Sequence, residues 1–280
     1  MKYKANIGSV FSEMRILYHQ GKQYIPDVTT VEVPGIYRGR PVIKTAAAAG
    51  AAACFDSAQH TGAGAIDTAT DIGYLVDLCP TGAIALNPLS IDLGKCIFCG
   101  ECERACPSRI KFTKDYKIFA ATRNGLVISE GFDEPMKVKP NEVRKEIRKY
   151  FGSSLKLRQV SAAGDNSCEW ELNASGNVNF DMGRFGIEFV ASPRHANGIV
   201  ITGPISQNMA GPLQICYDAI PDPKIIILAG TDAISGGIFA GSPALNRSFL
   251  NKYQVDLYLA GNPAHPLTII NGILALTRGK

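Results

Sequence analysis

Cys96, Cys99, Cys102 and Cys106 form a Cys-x2-Cys-x2-Cys-x3-Cys run that meets Pro107 at once. Soft thiolates select iron–sulfur clusters, and this spacing lets three sulfurs converge on three irons of a [4Fe–4S] core while backbone N–H groups point at the cluster sulfides. A structural zinc ribbon would instead want two separated Cys-x2-Cys pairs. The run therefore predicts one-electron chemistry, and the rest of the chain must supply the elements that hold it.

Seventeen residues before the run, Cys79-Pro80-Thr81-Gly82-Ala83-Ile84 looks like the tail of a second motif of the same kind. Counting back by the same spacing lands on Ala69, Ile72 and Leu75, so three thiolates of that earlier motif are missing. The pair resembles a two-cluster ferredoxin, in which the fourth Cys of each run ligates the other run's cluster. The resemblance implies ligation by Cys79, Cys96, Cys99 and Cys102, with Cys106 as the second choice for the fourth ligand.

Eight cysteines in 280 residues are compatible with disulfides, but five fall into cluster spacing, and Met1 to Asn6 shows no signal-peptide apolar core. Reduced thiols are the simpler expectation. With 46% hydrophobic and 19% charged residues the chain reads as globular, with length enough for two domains. The alanine-rich run Thr45 to Cys54 falls far short of the roughly 20 apolar residues a membrane span needs. A net charge of +4 with no basic stripe interleaved with aromatics excludes a nucleic-acid reading.

Basic residues concentrate between Lys137 and Arg158. Pro140-Asn141-Glu142 reads as a helix start, Val143, Ile147 and Phe151 recur four apart on one face, and Gly152 stops it. This stretch is either a solvated helical face or a surface for an acidic partner. It divides a cysteine-bearing module, residues 1–135, from residues 159–280, with 136–158 as the linker. The second part reads as α/β: Phe185 to Ala191, Gly198 to Thr202, Lys224 to Ala229 and Val255 to Ala260 are short apolar runs suited to a parallel sheet covered on both faces. Sites in such sheets form at the carboxyl ends of strands.

A family resemblance rests on Arg184 to Ala196, Thr202-Gly203-Pro204, Tyr217 to Lys224 and Ser235-Gly236-Gly237. These resemble the small subunit of membrane-bound, energy-converting (group 4) [NiFe] hydrogenases and the cluster-bearing 20 kDa subunit of respiratory complex I, over about residues 160 to 280. The first half is similar to the ferredoxin-like subunit of the same complexes, including Tyr37-Arg38-Gly39-Arg40-Pro41, with the stretch from about Lys44 to Gly64 as an unusual insertion. The chain looks like a fusion. The resemblance implies an α+β ferredoxin-like domain followed by an α/β flavodoxin-like domain with a parallel sheet.

The small subunit of that family normally holds a proximal cluster on four cysteines, and the matching positions here read Asp165, Cys168, Asp232 and Asn262. One thiolate is left, and two carboxylates plus an amide make a poor site for a soft cluster. Asp165, Cys168, Asp232 and nearby His265 could instead gather a single divalent ion, whereas turn-forming and helix-capping roles are the plainer reading. Arg194 and His195 match a family motif near the partner protein, and His195 reads as a structural hydrogen-bonding group. Glu171 matches a family carboxylate near the interface with the large subunit, Trp170 reads as packing, and Cys54 and Cys216 read as isolated thiols.

These observations predict an iron–sulfur electron-transfer subunit of a hydrogenase-like or complex I-like oxidoreductase, carrying one [4Fe–4S] cluster and no catalytic residue of its own. The alternative is a structural or adaptor subunit with little or no electron transfer. Expected partners are a hydrogenase-like large subunit and membrane subunits. Attachment would be peripheral, at the cytoplasmic face, with no span of the chain's own.

Overall fold

Five parallel strands organise the second half: β7 (Leu155–Ser161), β8 (Ile187–Phe189), β9 (Gly198–Thr202), β10 (Ile225–Ala229) and β11 (Leu257–Leu259), in a computed structural model that describes residues 7–21, 24–45, 47 and 72–279. Their spatial order is β8-β7-β9-β10-β11, the 2-1-3-4-5 order of a doubly wound sheet whose switch point lies between the first and third strands. Every residue of β9 and β10 is buried, which is why both read as unbroken apolar runs. The insertion, Cys54 and Ala69 lie outside the described residues.

The sheet separates two cores. Ile199, Ile201, Ile226 and Leu228 face one side, where the core continues into Leu75, Ile91, Leu93 and Cys96 of the cysteine module. Val200, Ile225, Ile227 and Leu257 face the other, beneath the helix Pro266–Arg278. This alternation is the period-2 geometry of a strand. The helix Pro266–Arg278 is buried from Pro266 through Thr277, and Val28 and Val33 from the start of the chain pack into the same core.

The first half contributes a two-stranded pair, β1 (Pro41–Ile43) with β4 (Ile110–Phe112), and a three-stranded sheet of β2 (Ile84–Ala85), β3 (Ser90–Asp92) and β6 (Val127–Ser129). Two five-residue helices, Tyr74–Leu78 and Glu101–Ala105, end at Cys79 and Cys106, each followed by proline.

Two strands lie across the expected boundaries. Strand β5 (Phe119–Ala120), inside the expected first domain, pairs antiparallel with β11 through Phe119↔Leu259 and Ala120↔Tyr258, so the sheet has six strands. Strand β7 begins at Leu155, within the expected linker, because Leu155 and Leu157 point into the core while Lys156 lies between them on the surface. The linker helix is Lys145–Phe151 after a 3-10 turn at Pro140–Glu142, and Val143, Ile147 and Phe151 are all buried as their spacing predicts.

Candidate iron–sulfur site

The loop between β3 and the helix Glu101–Ala105 carries Cys96, Cys99 and Cys102. Its tight path uses positive φ at Phe98 (55°) and at Gly100 (80°). Gly100 fits for a second reason: a Cβ there would lie 2.9 Å from the Arg38 guanidinium nitrogen Nε. Arg38 in turn reaches the Phe98 carbonyl at 3.4 Å. Gly39 lies so close to Asp115 that a side chain could not fit, and Arg40 pairs with Asp115 at 3.1 Å. The Tyr37 to Pro41 segment therefore clamps the cysteine loop.

Cys79, Cys96, Cys99 and Cys102 line one cavity together with Ile84, Ile91, Ile97 and Phe112. Cys106 is not among its lining residues; it is fully buried and disulfide-bonded, a departure from the all-reduced expectation. Two backbone amides already aim at the sulfurs: Phe98 N–H donates to Cys96 Sγ at 3.3 Å and Ala83 N–H to Cys79 Sγ at 3.2 Å. Burial first, with the neighbouring cysteines adding to it, pushes the Cys96 thiol up to about 12 and the Cys102 thiol up to about 11. Such thiols ionise readily only around a cationic centre. Among the described residues no three His, Cys, Asp or Glu side chains close on a point as ligands of a single ion. The four cysteines line one cavity, and a set of four soft thiolates fits a sulfur-bound iron centre.

The cysteine loop sits on the carboxyl end of the parallel sheet. Thr231, directly after β10, donates its hydroxyl to the Cys96 carbonyl at 2.8 Å, and its own N–H bonds the Gly261 carbonyl after β11. A Cβ on Gly94 would collide with Ile234 from the same face. No feature of the sequence marks Thr231, since its acceptor lies 135 positions away.

The four candidate residues of the second site do not gather as ion ligands. Asp165 Oδ1 accepts from Ser167 N–H and hydroxyl at 2.9 and 2.6 Å, opening the helix Ser167–Ser175, and these bonds hold its carboxyl below the usual range. His265 Nδ1 accepts from Leu267 N–H at 3.1 Å and caps the helix Pro266–Arg278. Burial lowers its pKa. Cys168 is buried, with its thiol pushed up to about 12, and its sulfur fills the space beside Gly230, where a Cβ would lie 2.3 Å away. Asp232 is half-buried; burial first, then Asp165 and Glu169, raises its pKa. Asp165 and His265 bond the turns that open their helices and the Cys168 sulfur packs beside Gly230, in keeping with the turn and packing roles that the sequence also offered.

Glu169 is the residue sequence reasoning passed over. It is 5% exposed, and its Oε1 accepts from Ser161 and Thr202 hydroxyls, both at 2.6 Å. These are the last, register-paired residues of β7 and β9, so Glu169 ties the switch point of the sheet. Its position beside Cys168 was the available signal. Glu171 is half-buried with a raised pKa from burial and lines a small cavity with Arg38, Phe98, Asn262 and His265. Trp170 is 70% exposed, contrary to the packing expectation, and Arg194 and His195 are not buried either, so His195 is no buried structural group. Cys216 is partly buried beside Arg158.

Comparison with known proteins finds similarity in two parts of the chain. Residues 89–110 match the 4Fe-4S binding domain and residues 166–276 match the 20 kDa subunit family of NADH:ubiquinone oxidoreductase. The probable membrane-bound hydrogenase subunit mbhJ of Pyrococcus furiosus is 32% identical over 129 residues, 46% of this chain and 77% of that protein. A subunit of the NADH-quinone oxidoreductase of Heliobacterium modesticaldum is 40% identical over 159 residues, 55% of this chain and 89% of that protein. Formate hydrogenlyase subunit 7 of Escherichia coli is 33% identical over 149 residues, and the match spans 53% of this chain and 57% of that protein. With its cysteine module in front of the sheet, the chain belongs to the family of the 20 kDa subunit of NADH:ubiquinone oxidoreductase.

Proposed function

We propose that this iron–sulfur electron-transfer subunit holds one [4Fe–4S] cluster on Cys79, Cys96, Cys99 and Cys102, in a ferredoxin-like first domain docked on a flavodoxin-like second. The observation that carries the assignment is the single cavity lined by those four cysteines and not by Cys106. When bound, the cluster supplies a one-electron couple. The chain's own residues set the surroundings: the Phe98 and Ala83 amides favour negative charge on the sulfurs, and Ile84, Ile91 and Phe112 keep water from them.

The protein is part of a membrane-bound complex of the hydrogenase or complex I type, and we assign it a peripheral place at the cytoplasmic face. No helix among the described residues is long and apolar enough to cross a membrane. The partners we infer are a hydrogenase-like large subunit and membrane subunits. The helix Ile7–Gln20 supports contacts with them, because Phe11, Met14, Leu17 and Tyr18 are all more than half exposed on it.

A second reading, an adaptor without electron transfer, is favoured by the second site, where the Cys168 sulfur is packed against Gly230 and oxygen donors replace the other thiolates. Anaerobic purification with iron analysis and a redox titration followed by electron paramagnetic resonance separates the two. The electron-carrier reading expects about four irons per chain and a signal on reduction. Iron-free protein, or a centre silent at every accessible potential, would establish the adaptor.

A further inference from the structure

An unassigned cavity among the described residues lies on the opposite side of the sheet from the cysteines, between the stretch Pro135–Pro140, β5 and the C-terminal helix. Its volume is about 620 Å³, within the size range of small-molecule sites. Lys117, Lys137 and Arg148 line it with no carboxylate among the lining residues, while Phe119, Met136 and Val138 supply an apolar wall. Those three apolar residues are each under a tenth exposed.

Arg148 is the informative member. Its Nη2 is buried and has no hydrogen-bond partner, and its Nε reaches only the Leu276 carbonyl, at 3.5 Å. A guanidinium nitrogen withdrawn from water without an acceptor is costly, and the common remedy is a bound oxyanion. The acid that feels Lys117, Asp27, already accepts from Thr29 and Thr30 and is not part of the lining. The excess of lysine and arginine that marks this stretch of the sequence thus includes two of the cavity's three cations, Lys137 and Arg148.

We propose that this cavity binds an anionic amphiphile, its oxyanion head on Arg148, Lys137 and Lys117 and its first methylenes against Phe119, Met136 and Val138. A phosphate head and a carboxylate head present the same chemistry to these cations. The inference is independent of electron transfer, since no cysteine lies in the cavity.

Isothermal titration of the full, cluster-loaded chain with octyl phosphate, octanoate, inorganic phosphate and octyl glucoside tests it. At least one of the first two should bind about tenfold or more tighter than either of the last two, and which one does so identifies the head group. Arg148→Gln should lose about tenfold of that affinity, and Lys137→Gln, at an exposed position that folding does not need, should weaken it in the same direction. Far-ultraviolet circular dichroism and the thermal midpoint report whether each variant is folded, and Lys137→Gln decides if Arg148→Gln is not. Inorganic phosphate or octyl glucoside binding as tightly as the amphiphiles, or unchanged affinity in folded variants, would overturn the proposal.

Discussion

The hydroxyl of Thr231 and the carbonyl of Cys96 lie 2.8 Å apart, joining the end of a parallel strand to the first cysteine of the cluster motif. The bond is buried, with Thr231 fully inaccessible. Because that face is where ligand sites of such sheets form, the sheet now positions a cluster motif carried by another part of the same chain.

Thr231→Val keeps the shape of the side chain and removes its hydroxyl, leaving the Cys96 carbonyl without this donor. The expected loss is about 1–2 kcal/mol of stability, read as a lower midpoint in urea with an unchanged slope. An unaltered midpoint would mean that the loop holds its place without this bond.

Cys79→Ser should lower the bound iron and abolish the native resonance signal, while Cys106→Ser should retain both. Iron analysis and low-temperature spectra of the two variants, prepared without oxygen, check the assignment. The reverse pattern would make Cys106 the fourth ligand.

Glu169→Ala removes the acceptor shared by the Ser161 and Thr202 hydroxyls and leaves a void at the switch point. The expected cost is about 2–3 kcal/mol. Glu169→Gln keeps an oxygen acceptor and should cost less than half as much; equal losses in urea unfolding would remove the hydrogen-bonding role.

Asp165 and Asp232 should respond to acid in opposite senses. The folded pKa of Asp232 is raised by burial, so the folded state takes up a proton first and stability falls as pH rises through that folded pKa. Asp232→Asn should therefore stabilise the protein at pH 7 and make little difference below the ordinary carboxylate range. Asp165, held low by Ser167, contributes stability above its unfolded pKa and loses it as pH falls through the folded value. Asp165→Ala should cost about 1 kcal/mol at pH 7 through the lost bonds to Ser167. Denaturation midpoints of both variants at pH 7 and at a pH below the ordinary carboxylate range, about 3, test the signs.

Strands β9 and β10 were legible because complete burial leaves an unbroken apolar signature at Gly198 to Thr202 and Ile225 to Ala229. Strand β7 was hidden: Lys156 and Arg158 alternate with Leu155 and Leu157, and the cations read as part of the basic linker. In the fold Lys156 stays at the surface and pairs with Glu188 of β8 at 3.2 Å. Strand β5 has two residues, too few for any period to register, and pairing with Leu259 and Tyr258 alone defines it. Spacing put forward Cys79, Cys96, Cys99 and Cys102 as a group, and all four line one cavity. Thr231 and the bond from Thr202 to Glu169 were not legible, because the partners lie 135 and 33 positions apart in sequence.

Strand β5 also has a consequence for assembly. Phe119 and Ala120 cover the otherwise open edge of β11, and a bare edge of that kind invites pairing with stray chains. Separately encoded halves would have to restore that pairing by docking in trans, whereas a single polypeptide holds β5 beside β11 at a high effective concentration.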